Sequence, residues 1–252
     1  MIQEMSLEGR LAVVTGGGTG LGLGIAQALI DAGARVVIAG RREDVLAEAC
    51  RELGENAAGR ALDLTRFDAL DAFAAGVERD FGPVDVLVNN AGMQNNRPAA
   101  DFTPDDLARM LDTNLVGPYL LTQRFARGML ARGRGSIVFV SSTAAHIGIT
   151  NTASYAASKG GLSALVRTLA SEWSPRGVRV NAIAPGWIET DLVRESLRRV
   201  PERRAMVEHR CLIPRLGTPR DVGLAAAFLA SDASAYITGF ELKVDGGVAA
   251  SL

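Results

Sequence analysis

The chain has little sulfur chemistry, little aromatic surface and no excess of either charge. Cys50 and Cys211 are its only cysteines, too few and too far apart for a disulfide framework or a cysteine-rich zinc site, so a reducing compartment is expected. Lys and Arg number 27 against 28 Asp and Glu, which leaves a formal net charge of -1 and no field that advertises a nucleic acid or an anionic membrane. Every long apolar run is cut by Gly, Pro or charge before membrane-spanning length. The opening MIQEMSLEGR also lacks the basic-then-apolar order of a signal peptide, and a cytoplasmic location is expected. Only 5% of residues are aromatic, whereas 28 are glycine, a balance that favours tight turns and close backbone packing over an aromatic-lined barrel.

Short β-branched runs alternate with longer stretches of helical period. Strands are predicted at Leu11 to Thr15, Arg35 to Ala39, around Leu62, at Val84 to Val88, Ser136 to Ser141, Val178 to Ile183 and Glu241 to Val244. Amphipathic crossovers lie between them: Gly22 to Ala32 closed by Gly33, Glu43 to Leu53 closed by Gly54, and Asp221 to Ser231 near the end. The pattern predicts an α/β fold, a doubly wound (Rossmann) parallel sheet of seven strands flanked by helices. No linker divides the chain, so residues 1–252 read as one domain. Strand signals vanish between Pro185 and Pro219 while charge rises (ESLRRVPERR), and a small helical substrate lid is expected at about 187–217.

Immediately after the first strand comes Thr15-Gly16-Gly17-Gly18-Thr19-Gly20-Leu21-Gly22, and a helix follows. Glycines there let backbone N–H groups approach a pyrophosphate at the positive helix end. The second strand ends in Gly40-Arg41-Arg42. An acid at that point would bond a free ribose 2′-hydroxyl; two guanidiniums instead favour a 2′-phosphate, hence NADP(H) over NAD(H). Asp63 and Leu64 are placed to meet the adenine. In Tyr155-Ala-Ala-Ser-Lys159, a four-residue spacing puts phenol and ammonium on one helix face, where a cation eases proton transfer from the phenol.

The ordered set of motifs resembles the short-chain dehydrogenase/reductase family from Arg10 to Gly247. TGGGTGLG is similar to the family's TGxxxGxG loop, Asn89-Asn90-Ala91-Gly92 to its NNAG segment, YAASK to YxxxK, and Pro185-Gly186 with Thr190 to its PG segment. The resemblance implies a catalytic set of Asn114, Ser142, Tyr155 and Lys159. Ser142 would hold the substrate oxygen and Tyr155 exchange a proton with it. Lys159 would lower the Tyr155 pKa and bind the nicotinamide ribose, and Asn114 would position a relaying water. Asn90 would meet that ribose, and Ile188 the nicotinamide carboxamide through its backbone. No metal is implied, and a homotetramer is.

Ala91 to Pro98 (AGMQNNRP) looks most like gluconate 5-dehydrogenases and related sugar-acid dehydrogenases. Gln94, Arg97, Ser142, His146 and Trp187 are the expected substrate contacts, with Arg97 a carboxylate clamp if it faces the pocket. His146 could equally sit in solvent. The core motifs match 3-oxoacyl-carrier-protein reductases equally well; such an enzyme would want a basic patch, which RRVPERR and Arg210 to Arg220 could supply. A non-catalytic NADP(H)-binding sensor or scaffold is the reading from another class, and a flavin or methyl-donor site would not need YxxxK.

Overall fold

Each strand divides its side chains between two helical layers. On β1 (Leu11–Thr15), Leu11 and Val13 join one core cluster with Phe125, Leu162 and Val166, whereas Ala12 and Val14 join another with Ile25, Leu29 and Val222. Burial on both faces is why the strands read as continuous apolar runs. The computed structural model describes residues 2–190, 193–194 and 210–250. The remaining strands are β2 (Arg35–Gly40), β3 (Ala57–Ala61), β4 (Val86–Asn89), β5 (Gly135–Val140), β6 (Val178–Pro185) and β7 (Glu241–Val244). All pair in parallel, in the order β3-β2-β1-β4-β5-β6-β7.

Helices α3 (Leu70–Phe81), α5 (Gly117–Arg132) and α6 (Ala153–Trp173) cover the first face. The second carries α1 (Gly20–Asp31), α2 (Glu43–Leu53) and α7 (Pro219–Ala230), with α4 (Pro104–Leu111) lying ahead of α5. Chain direction across the sheet reverses between β1 and β4, so the loops after those two strands open a crevice at the strands' carboxyl ends.

Helix ends follow local chemistry. Thr103 and Asp106 form a reciprocal capping box at the start of α4, as do Thr218 and Asp221 at α7, each followed by proline in the first turn. The Arg215 guanidinium grips Asp221 at 2.7 and 3.0 Å and holds its carboxyl well below the usual carboxylate range. At the end of α1, Gly33 takes a φ of 103°, a region closed to most side chains.

The expected strand edges shift in places. β3 lies upstream of Leu62, over Ala-Ala-Gly-Arg-Ala, where three alanines, a glycine and an arginine carry no β signal. Leu62 follows the strand, buried, with its N–H on Gly40 O at 2.8 Å. β4 runs to Asn89 and β6 to Pro185, because partners β5 and β7 continue the ladder that far. Helix α1 begins at Gly20 and α7 at Pro219, slightly earlier than hydrophobic period alone indicates. Most of the expected lid falls outside the described residues. Its two ends meet: Ile188 bridges Gly217, with Glu189 N–H donating to Gly217 O at 2.7 Å and Gly217 N–H to Trp187 O at 2.9 Å.

Candidate active site

The loop after β1 turns on Gly16, at φ 66°, and Gly20, at φ 54°. A Cβ on Gly22 would lie 2.0 Å from Gly16 O, and one on Gly16 would lie 2.9 Å from Ala91 Cα, so backbone fills the space that side chains would take. Thr19 precedes α1 without a side-chain cap, leaving the first-turn N–H groups to an anion. Asn90 braces the turn from β4: its Nδ2 donates to Thr15 O at 3.0 Å and Gly16 O at 3.2 Å. Thr15 Oγ1 accepts from the N–H groups of Asn90 and Ala91 at 3.1 and 3.0 Å. The Asn90 amide therefore holds the glycine loop.

One cavity of about 1410 Å³ runs from this loop across the crevice. It is larger than an ordinary small-ligand pocket and has room for a dinucleotide beside a small substrate. Every nucleotide contact expected from the sequence, from Gly16 to Thr190, lines it. Arg41 and Arg42 stand exposed on its wall. Asp63 is drawn below the ordinary carboxylate range, first by the Thr65 N–H, then by the Thr65 hydroxyl and more weakly by Arg41. The glycine cradle, the uncapped helix end and the arginine pair fit a dinucleotide carrying an extra phosphate.

At the far end, α6 carries Tyr155 and Lys159 onto the same wall as Ser142. The Ser142 hydroxyl hydrogen-bonds the Tyr155 phenol and accepts from Ala144 N–H at 3.1 Å. Burial pushes the phenol upward and the Ser142 bond pulls the other way. Lys159 is fully enclosed. Its Nζ donates to Val140 O at 2.7 Å and lies 5.8 Å from the Tyr155 ring centroid. Burial lowers this amine to about 8, against the opposing field of Glu241. The lowering of Tyr155 expected from Lys159 is not seen: desolvation raises the phenol and the Ser142 bond is what opposes it.

Asn114 stands behind this wall rather than on it. It sits in a π turn, Asp112–Val116, between α4 and α5. Its Nδ2 donates to Met93 O at 2.9 Å and Ser158 Oγ at 3.1 Å, while its Oδ1 accepts Met93 N–H at 2.8 Å. Asn114 thus fastens the loop after β4 to α6, and the extra residue of the π turn aims it there.

The substrate contacts divide. Gln94, Ser142 and Trp187 line the cavity. Arg97 does not: Asp106, a member of the α4 capping box, takes its guanidinium at 2.5 Å. His146 is also absent from the lining, because its Nε2 meets Glu241 Oε2 at 3.0 Å. Sequence reasoning missed one face of α4, where Asp105, Arg109 and Asp112 line the cavity; the Thr103-Pro104-Asp105-Asp106 start signal was legible and sets that helix's phase.

Among the described residues no group of three or more metal-ligating side chains occurs, and no helix is long and apolar enough to cross a membrane. Residues 16–249 match the family described as Enoyl-(Acyl carrier protein) reductase. The chain belongs to the short-chain dehydrogenase/reductase family. As a member it is an oxidoreductase acting on CH–OH groups. It is 42% identical over 252 residues to a 2-dehydro-3-deoxy-D-gluconate 5-dehydrogenase of Pseudoalteromonas atlantica, covering 98% of each chain. It is 37% identical to a 3-oxoacyl-[acyl-carrier-protein] reductase of Vibrio cholerae, over 97% of this chain and 99% of the other. A gluconate 5-dehydrogenase from Burkholderia cenocepacia, solved with NADP and tartrate, superposes with a TM-score of 0.93 at 34% identity, covering 99% of this chain and 98% of that one.

Proposed function

We propose that this short-chain dehydrogenase interconverts a secondary alcohol and a ketone on a sugar acid such as gluconate, with NADP(H). The carrying observation is that Ser142, Tyr155 and Lys159 share one cavity wall with the glycine cradle and Arg41-Arg42. When bound, NADP(H) would supply or accept the hydride. Ser142 holds the substrate oxygen against Tyr155. The buried phenol keeps its proton near neutral pH and gives it to a ketone oxygen as charge develops there. Lys159, held by Val140 O, provides the adjacent positive charge, and Asn114 sets the wall's shape through Met93. Arg41 and Arg42 would hold the 2′-phosphate, with the first-turn N–H groups of α1 on the pyrophosphate.

The substrate end supports a polyhydroxylated ligand. Gln94 donates to Asn96 Oδ1 at 2.8 Å, and Ser142 and Thr152 add hydroxyls to the same wall beside Trp187. The acyl-carrier reading needs a basic surface near the mouth. Arg215 and Arg220 are spent on Asp221 and Asp31, and RRVPERR lies outside the described residues. A sensor would not need the Ser142–Tyr155–Lys159 grouping. A lid over 187–217 and a homotetramer complete the proposal; exposed Leu224, Tyr236 and Phe240 around α7 and the β7 edge support an interface there. Steady-state comparison of D-gluconate oxidation with reduction of a β-ketoacyl thioester tests the substrate class. A higher kcat/KM for the thioester would overturn it.

A further inference from the structure

Glu241 opens the edge strand β7, and its position brings it to the corner of the site that holds Lys159. It stands in register with Ala182 of β6, and Ala182 packs in the core cluster that faces α6. Phe139, in register with Ala182 on β5, immediately precedes Val140, whose carbonyl receives the Lys159 ammonium. The Glu241 side chain is only 13% exposed. One of its oxygens meets His146 Nε2 at 3.0 Å; the other, Oε1, is buried with no hydrogen-bond partner among the described residues. A carboxylate kept in so dry a place needs compensating positive charge. Lys159, more deeply buried still, donates only to a neutral carbonyl among the described residues.

Other charges near this corner are turned elsewhere. Tyr155 shares α6 with Lys159 and hydrogen-bonds Ser142. Arg179 of β6 directs its guanidinium to Leu229 O, Ser231 O and Ser234 Oγ on the opposite face. Asp105, Arg109 and Asp112 of the α4 region line the open cavity, and Lys243, two residues along β7, is exposed. The β5 strand carries no charged residue. Glu241 is the group whose field is felt at the Lys159 amine.

We infer that Glu241 is a positioning residue of this enzyme: it keeps Lys159 charged inside the wall and, through His146, ties the loop that begins with Ser142 to the sheet edge. The inference rests on the catalytic reading of Lys159 but can be tested without turnover, because Lys159 and Lys243 are the chain's only lysines. Protein labelled with 13C at lysine Cε gives two signals, and Lys243→Arg assigns them. The Lys159 signal is expected to titrate near 8 in the unaltered protein and at lower pH in Glu241→Gln, which keeps the shape and can still accept from His146. Glu241→Asp, with its charge drawn back by one methylene, is expected between the two. An unmoved midpoint in folded Glu241→Gln overturns the inference. If that variant does not fold, an unmoved midpoint in Glu241→Asp does so. Where a ketone is turned over, the alkaline fall of NADPH-dependent reduction moves with the signal; a fall that stays in place while the signal moves overturns the functional half.

Discussion

Gly22→Ala is the sharpest perturbation of the nucleotide cradle. The added methyl would sit 2.0 Å from Gly16 O and 2.5 Å from Asn90 Nδ2, and the nearer atom is backbone that cannot rotate away. Relief requires parting the start of α1 from the β1 turn and breaking the bonds from Asn90 to Thr15 O and Gly16 O. Overpacking of this kind costs about 1–3 kcal/mol, and the better helix propensity of alanine returns less than about 1 kcal/mol. Felt at the anion-binding turn, a net cost of about 1–2 kcal/mol corresponds to roughly a 5- to 30-fold loss of NADPH affinity. Gly76→Ala on α3 is the control. Its Cβ would meet only the mobile end of Arg79, at 3.8 Å, so about 0.5–1 kcal/mol of stability is expected with NADPH binding unchanged. NADPH fluorescence titration and urea unfolding read both. A Gly22→Ala protein that binds NADPH as tightly as the parent would refute the cradle geometry.

The lowered Lys159 pKa fixes a pH dependence of stability. Between about 8 and 10.5 the unfolded chain holds a proton that the folded one has released, so stability rises with pH across that window. The gain is about 3 kcal/mol relative to Lys159→Met, read as the difference between the two unfolding curves against pH; parallel curves would contradict it. Replacing Arg41 and Arg42 together with serine is expected to weaken NADPH binding by about 10- to 100-fold while leaving NADH binding unchanged. Equal losses for the two cofactors would remove the 2′-phosphate role.

What the sequence discloses and what it hides divide along local and tertiary lines. The glycine turn, the α2 boundaries and the Tyr155–Lys159 spacing depend on a few consecutive residues, and each stands where the pattern places it. The residues of β3 hide a strand because its pairing comes from β2 rather than from side-chain preference. Arg97 looks like an anion clamp until α4 brings Asp106 against it, and His146 looks like a pocket residue until β7 brings Glu241 across 95 positions of sequence. The π turn that withdraws Asn114 from the cavity has no local signature. It follows from the bonds Asn114 makes to Met93 and Ser158.

The most direct measurement is NADP+-dependent oxidation of D-gluconate by the purified protein and by Tyr155→Phe, with NADPH affinity measured on both. Turnover is expected to fall by about 100-fold or more in the variant while the affinity is unchanged, since only the proton-transferring oxygen is removed. A variant that turns over gluconate at the parental rate would contradict this expectation.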